Sequence, residues 1–182
     1  STDDEEIAEI AQKYGAKVPF MRSKETADDY ATTADVLEEV ILQYHNNGKE
    51  FDYACCIYAT APFVTEKKLK ECFSLLKESE FDTVIPVITF SFPIQRGVIM
   101  QDARARFMYP EYKNTRSQDL ENVYHDAGQF YFFNVESFLD KKQLWTDNTG
   151  GIVISELEAQ DIDSEVDWKL AELKYRLINK VD

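Results

Sequence analysis

Two uninterrupted apolar runs of strand length constrain the fold of this chain more than any other feature. They are Tyr53–Ala59 and Thr83–Thr89, and a helix pattern with Leu69, Phe73 and Leu76 on its inner face separates them. An apolar run without polar alternation is typical of a strand buried on both faces, as in parallel sheets covered by helices. The repeated strand–helix order implies right-handed crossovers. The pattern therefore predicts an α/β protein with a doubly wound, mostly parallel sheet.

Length and charge limit the classes of partner. A chain of 182 residues with 44% hydrophobic content is expected to form one domain, residues 1–182, with a sizeable core. Its net charge of −14 repels nucleic acids and anionic membrane surfaces, so neither is expected as a partner. The sequence contains no apolar run approaching ~18 residues. Its three cysteines show no Cys-x-x-Cys spacing, which favours a reduced, cytoplasmic protein.

An acidic pair near the last helix is the clearest candidate for chemistry. Asp161 and Asp163 are two residues apart, so on an extended segment they point to the same side while Ile162 points to the core. Two oxygen ligands side by side suit Mg²⁺ held against phosphate oxygens. Ser164 and Asp167 form a capping-box pattern, which places the pair at a strand end just before a helix. Taken alone, the pair also fits a solvated acidic turn.

Residues 90–127 interrupt the strand–helix rhythm. This stretch holds Pro93, Gly97 and Pro110 together with several aromatic residues. Its basic side chains are Arg96, Arg104, Arg106, Lys113 and Arg116. A segment of this length is too long for a plain connection, and it is interpreted as a functional or interaction arm that protrudes from the fold. A surface excursion without function is the alternative.

Several short segments together carry a family resemblance. They are Ser1–Ala8, Val18–Arg22, Tyr58–Phe63, Phe92–Arg96, Arg116–Asp119, Tyr124–Tyr131 and Gln160–Asp163. In this order and spacing the chain resembles the cytidylyltransferases that activate nonulosonic acids, the CMP-sialic acid synthetase family, and within it the pseudaminic acid branch. The resemblance implies a Rossmann-like three-layer nucleotide-diphospho-sugar transferase fold. It also implies transfer of CMP from CTP to pseudaminic acid, with release of pyrophosphate, for bacterial surface or flagellin glycosylation.

The resemblance implies roles for individual residues on the nucleotide side. Asp161 and Asp163 match the family's catalytic, metal-binding pair, which makes Mg²⁺ the expected cofactor. Arg22, Thr33 and Thr60 match nucleotide-binding positions. Without the resemblance, Arg22 reads as a solvated loop arginine and Thr33 as a helix cap.

The sugar side is implied in the same way. Its matched residues are Tyr58, Gln95, Arg96, Arg116, Gln118, His125, Asp126 and Gln129. A cation among them would pair with the carboxylate of the sugar. His125 could serve as a general base oriented by Asp126, or it could be a hydrogen-bonded structural group. Tyr58 and Ala127 stand where sialate members carry Gln and Asn, which argues against N-acetylneuraminate as the substrate.

The family also implies features at the start of the chain and in the arm. Its members begin with a strand and a loop rich in Gly, Ser and basic residues that wraps the triphosphate. The present sequence starts after that loop, so we expect a sheet truncated at the N-terminus and weak or no activity from the 182 residues alone. The arm, residues 90–127, is expected to form a homodimer and to reach toward the neighbouring site.

Three alternatives stay open from the sequence. The first is a CMP-sialate or CMP-legionaminate synthetase. The second is a truncated, non-catalytic module that binds nucleotide sugars or dimerises. The third is a UDP-sugar glycosyltransferase that uses Asp161-Ile162-Asp163 as its metal motif, which a preference for uridine over cytidine would reveal.

Overall fold

The computed structural model describes residues 1–28 and 30–180. The helices are α1 (Glu5–Lys13), α2 (Thr33–Asn46), α3 (Glu66–Glu78), α4 (Val135–Lys141) and α5 (Glu165–Asn179). The strands are β1 (Tyr53–Ile57), β2 (Thr83–Thr89), β3 (Val98–Gln101), β4 (Arg104–Phe107), β5 (Tyr124–Asp126), β6 (Phe130–Asn134) and β7 (Thr149–Val153). Helices and strands alternate along much of the chain, which confirms the predicted α/β class.

The strands form one five-stranded sheet and one hairpin. The sheet has the hydrogen-bonded order β1-β6-β2-β5, with β7 also paired to β2, and the hairpin pairs β3 with β4. The β2–β5, β2–β6 and β3–β4 pairs are all antiparallel. The prediction of a mostly parallel sheet is therefore wrong. The physical reason is that an unbroken apolar run carries no information on strand direction, and β6, a third such run, returns antiparallel against β2.

Burial also differs between the two apolar runs that suggested a parallel sheet. Thr83–Pro86, in β2, is fully buried, as a strand covered on both faces should be. In β1 the first four residues are half-buried and Ile57 is 49% exposed. Strand β1 is at the end of the strand order, with a strand neighbour on one side among the described residues. The prediction of burial on both faces is confirmed for the start of β2 and is wrong for β1.

The chain divides into two compact units. Unit 1 comprises Ser1–Cys56, Leu76–Val84 and Tyr131–Gly150, and unit 2 comprises Ile57–Leu75, Ile85–Phe130 and Gly151–Asp182. In unit 1 the rings of Phe133 and Phe138, both buried, lie 5.0 Å apart. In unit 2 the core includes Cys72, Ile85, Ile88, Phe130, Ile152 and Ile154. Each unit is thus built around its own apolar cluster, and the single domain stays a prediction.

Helix α5 begins where the capping pattern predicted. The Ser164 hydroxyl accepts from Asp167 N, and Asp167 Oδ2 accepts from Ser164 N at 2.9 Å. The reciprocal bonds satisfy two backbone donors of the first turn. The apolar stripe Val166, Leu170, Leu173 and Leu177 is 42–67% exposed. No helix in the described part of the chain is long and apolar enough to cross a membrane.

Candidate active site

Unit 2 contains a cavity of about 470 Å³ beside the ends of β2 and β5. Its lining residues are Ile88, Thr89, Phe90, Ser91, His125, Asp126, Ala127, Gly128, Glu156, Ala159, Gln160, Asp161 and Lys174. Three of the predicted site residues, His125, Asp126 and Asp161, therefore lie around one space. A cavity of this size is in the range of small-molecule sites, which span roughly 300–1,000 Å³.

The acidic pair lies on the segment between β7 and α5. Asp161 lines the cavity, whereas Ile162 lines a separate cavity of about 260 Å³ in the same unit. Asp163 N donates to Asp167 Oδ2 at 3.3 Å, so the segment leads directly into the helix cap. The helix start agrees with the prediction, but the 3₁₀ turn Glu156–Glu158 separates the pair from the end of β7.

The donor set of this pair fits a magnesium ion held jointly with a substrate. Asp161 and Asp163 are both exposed and offer carboxylate oxygens. Mg²⁺ is usually bound through one or two carboxylates plus substrate phosphates, not by a cage built from protein alone. The described residues contain no group of three or more His, Cys, Asp or Glu side chains that could hold a metal.

Two side chains hold the backbone of the segment that precedes Asp161. Gln129 Nε2 donates to Glu158 O at 2.5 Å. Lys174 Nζ donates to Ala159 O at 2.7 Å and to Glu156 O at 3.0 Å. Because Ala159 is two residues before Asp161, these bonds fix the position from which the carboxylate reaches the cavity. The sequence predicts Gln129 as a sugar contact, and in the structure its amide nitrogen donates to the backbone of this segment.

An ion pair strengthens the same turn. Lys68 Nζ lies 2.7 Å from Glu158 Oε2, and Lys68 is only 8% exposed. The ammonium group of Lys68 lowers the pKa of Glu158. Sequence reasoning missed Lys68 and Lys174, since nothing in the local pattern separates Lys68 from its helical neighbour Lys67. Only the tertiary structure identifies Lys68, because its side chain is buried and contacts the Glu158 carboxylate.

The backbone of Asp126 orients His125. The His125 Nδ1 atom lies 2.8 Å from the backbone oxygen of Asp126. The Asp126 side chain accepts from Gly128 N at 2.9 Å. The ring of Phe90 lies 4.8 Å from the His125 ring, centroid to centroid. Both rings line the cavity.

The remaining residues predicted for the sugar side lie away from this cavity lining. Gln95 Nε2 donates to Glu121 O at 3.0 Å, and Arg96 Nη1 donates to Ser117 Oγ at 3.4 Å. Both bonds connect segments of the predicted arm to each other. The arm residues Arg116 and Gln118 are exposed. Tyr58, another predicted sugar contact, follows β1 and donates its backbone N–H to Gln129 O at 2.9 Å.

The predicted nucleotide residues fall in both units. Thr60, in unit 2, is exposed. Arg22, in unit 1, donates from Nη2 to Asp3 Oδ1 at 2.9 Å. Thr33 is the first residue of α2, but the helix cap is Thr32, whose backbone N–H donates to Asp35 Oδ2 at 2.8 Å. Thr32, and not Thr33, is therefore the N-cap of α2.

Known proteins resemble this chain in sequence and in fold. Residues 1–146 match the family model described as Cytidylyltransferase. Pseudaminic acid cytidylyltransferase of Campylobacter jejuni is 34% identical over 97% of this chain and 77% of that protein. CMP-N,N'-diacetyllegionaminic acid synthase of Legionella pneumophila is 24% identical over 94% of this chain and 75% of that protein.

A solved structure supports the fold. CMP:2-keto-3-deoxy-manno-octonic acid synthetase complexed with CTP superposes with a TM-score of 0.63 at 14% identity, over 98% of this chain and 79% of that one. At this identity the likeness concerns the fold. Membership of a family rests on the sequence matches, which extend over most of the chain and most of the Campylobacter relative. The chain belongs to the cytidylyltransferase family.

Proposed function

We propose that this protein transfers CMP from CTP to pseudaminic acid and releases pyrophosphate. The observation that carries the proposal is the cavity of about 470 Å³, around which Asp161, His125 and Asp126 lie. The Campylobacter relative named for this activity is 34% identical over nearly the whole chain. The CTP complex of the structural neighbour shows that this fold accommodates the nucleotide in that protein.

The proposed reaction depends on positioning and on compensation of charge. The anomeric hydroxyl of the sugar attacks the α-phosphorus of CTP, and the bond to the pyrophosphate leaving group breaks. Asp161 and Asp163 would hold Mg²⁺, which when bound neutralises charge on the triphosphate. Gln129 and Lys174 keep the segment before Asp161 in place through their bonds to backbone oxygens.

The other predicted contacts remain part of the proposal. We infer that Arg22, Thr33 and Thr60 bind the nucleotide. The residues proposed for the sugar side are Tyr58, Gln95, Arg96, Arg116, Gln118, His125, Asp126 and Gln129. These assignments come from the family resemblance, and the exposure of Thr60, Arg116 and Gln118 is compatible with ligand contact. The use of CTP favours the cytoplasm as the compartment of the reaction.

We also propose that the chain forms a single domain. Two copies of it would form a homodimer through the arm. The arm contains the β3–β4 hairpin, whose Val98 and Met100 are 53% and 62% exposed, and Met108 follows at 47%. Exposed apolar side chains on one hairpin are typical of a protein–protein contact. Sedimentation that showed a monomer at all concentrations would exclude this arrangement.

The direct test is pyrophosphate release from CTP and Mg²⁺, using the protein as its gene encodes it. Turnover should be fastest with pseudaminic acid, compared with legionaminic and N-acetylneuraminic acids. Asp161→Asn should reduce it by at least about 100-fold, since charge compensation is the main contribution to such transfers. The control Asp147→Asn changes an exposed aspartate in unit 1 and should retain activity.

The outcomes separate the alternatives. A preference for one of the other two sugars would favour the sialate or legionaminate reading, whose named relatives match at 24–30% identity. Binding of CTP without turnover of any sugar would favour a binding module. A preference for uridine would favour the glycosyltransferase.

A further inference from the structure

We propose that His125 is the general base of the reaction: its Nε2 atom accepts the proton of the sugar's anomeric hydroxyl. This inference rests on the proposed function. Three features of unit 2 support it: the tautomer of the ring, its packing and its place on the cavity.

The tautomer follows from the partner of Nδ1. The atom 2.8 Å from His125 Nδ1 is the backbone oxygen of Asp126. A carbonyl oxygen can only accept a hydrogen bond, so Nδ1 carries the proton and donates it. In a neutral imidazole the other nitrogen then holds a free lone pair. Nε2 is therefore the atom that can take up a proton.

Packing fixes the ring from a second side. In the antiparallel pair of β2 and β5, Ile88 is opposite His125. Phe90 continues the ladder by donating its N–H to Val123 O at 2.9 Å, and it is the diagonal neighbour of His125 on the same face. The two ring centroids are 4.8 Å apart, with the planes tilted by 55°. A base held by both a hydrogen bond and an aromatic ring loses little entropy when the substrate binds.

His125 lines the cavity together with other polar and charged side chains. Those with ionisable groups are Asp126, Glu156, Asp161 and Lys174. Lys174 donates to the backbone oxygens of Glu156 and Ala159. The imidazole therefore lies around the same space as Asp161, the proposed metal ligand.

The step is balanced without a further reactant. The oxygen of the anomeric hydroxyl forms a bond to the α-phosphorus, and its proton moves to His125 Nε2. The bond from the α-phosphorus to the pyrophosphate oxygen breaks, and the electron pair leaves with pyrophosphate. The imidazolium then returns its proton to solvent or to pyrophosphate after release. A positioned base typically contributes about 10²–10⁴-fold to the rate.

The test compares His125→Asn with His45→Asn, a matched change of the chain's other histidine. The amide nitrogen of Asn can replace Nδ1 as a donor to Asp126 O, but the side chain cannot accept the proton. His45 is exposed, lies in unit 1 and pairs with Glu50. In single-turnover experiments with CTP and pseudaminic acid, His125→Asn should slow the chemical step at least about 100-fold. His45→Asn should not change it.

Three readouts separate a base from a structural group. The acidic limb of the pH–rate profile should disappear in His125→Asn, the KM for CTP should stay within about threefold, and added imidazole should partly restore the rate of His125→Ala. A variant that melts earlier but keeps the acidic limb would overturn the inference. If the unmodified protein turns over none of the sugars, the proposed function itself fails, which is a distinct result.

Discussion

Lys68 Nζ lies 2.7 Å from Glu158 Oε2, and this pair links helix α3 to the turn that precedes Asp161. The lysine side chain is 10% exposed and the glutamate side chain 38%. Breaking a fully buried pair costs about 3–5 kcal/mol, and a surface pair about 0–1 kcal/mol. Because solvent screens the glutamate, we expect Glu158→Gln to lower the free energy of unfolding by about 1–2 kcal/mol.

Urea denaturation measures this loss. The control is Glu156→Gln, in the same turn, because Glu156 takes part through its backbone oxygen and its side chain is exposed. That variant should stay within about 0.5 kcal/mol of the unmodified protein. Equal losses from the two variants would show that Lys68 does not anchor the turn.

Lys174 provides a second test of how Asp161 is held. Its ammonium group donates to Glu156 O and Ala159 O, so Lys174→Met should free the backbone between these residues. We expect amide hydrogen exchange of residues 155–161 to accelerate at least about tenfold, because local opening no longer breaks two charge-assisted bonds. The exposed Lys169, on the same helix, gives the control Lys169→Met. Unchanged exchange in Lys174→Met would contradict the proposed support.

Local rules predicted some elements well. Strand β2 has the boundaries of its apolar run, Thr83–Thr89, and α5 begins at the Ser164–Asp167 capping box. Each depends on residues close together in sequence. The direction of the strands was not predictable in this way, because it depends on where β6 returns, far along the chain, and apolar runs look alike in either direction.

In the candidate site too, features that depend on residues close in sequence were predicted, and those that depend on distant residues were not. His125, Asp126 and Asp161 were identified from short motifs, and they do line one cavity. Lys68 and Lys174 were not, because each lies among similar helical lysines and gains its role from a partner distant in sequence. The role of Gln129 as a sugar contact stays a prediction. Its bond to Glu158 O was not predicted, because only the fold brings its amide nitrogen to that atom.

Asp82 should make unit 1 sensitive to acid. It accepts from Lys141 Nζ at 2.5 Å and from Thr146 Oγ1 at 2.7 Å, and the hydrogen bond from Lys141 is the main cause of its lowered pKa. A carboxyl whose pKa is lowered by folding contributes stability above its unfolded pKa, near 3.8, and loses it as the pH falls through the folded value. Asp82→Asn should therefore cost about 1.5–3 kcal/mol at pH 6 and progressively less as the pH falls below 3.8.

Denaturation at several pH values compares this variant with Asp140→Asn, which removes an exposed carboxylate from α4. The control should show a small difference from the unmodified protein that hardly varies with pH. A cost for Asp82→Asn that stays constant down to pH 3 would show that the charge of Asp82 is not responsible.

Two adjacent glycines in β7 should respond differently to alanine. A Cβ on Gly150 would overlap the ring of Phe81, lying 2.6 Å from its Cε2 atom, whereas a Cβ on Gly151 would be 3.5 Å from Ile85 O. We expect Gly150→Ala to destabilise by about 1–3 kcal/mol through overpacking. Gly151→Ala should be neutral or stabilise by about 0.5 kcal/mol, because alanine restricts the unfolded chain more than glycine. Thermal unfolding measures the stability of both variants. If Gly151→Ala were the less stable of the two, the close packing of Phe81 against Gly150 would be contradicted.

The turn of the β3–β4 hairpin contains an alanine where glycine fits better. Asp102 and Ala103 have φ values of 49° and 61°, as in a type I′ turn, and the flanking residues Gln101 and Arg104 are paired. An L-residue in this region costs about 1–2 kcal/mol, and Asp-Gly is a preferred sequence for the turn. Part of that gain is offset because glycine gives the unfolded chain more freedom, so Ala103→Gly should stabilise by about 0.5 kcal/mol.

The matched control for this prediction is Ala105→Gly in strand β4, where the backbone is extended and glycine brings no relief. It should destabilise by about 0.5–1 kcal/mol, because glycine loses more conformational freedom on folding. Opposite signs for two Ala→Gly changes two residues apart would identify the turn as the source of the strain. If Ala103→Gly destabilised as much as Ala105→Gly, residue 103 would not have a positive φ in solution, and the two-residue turn that sets the register of the arm would be wrong.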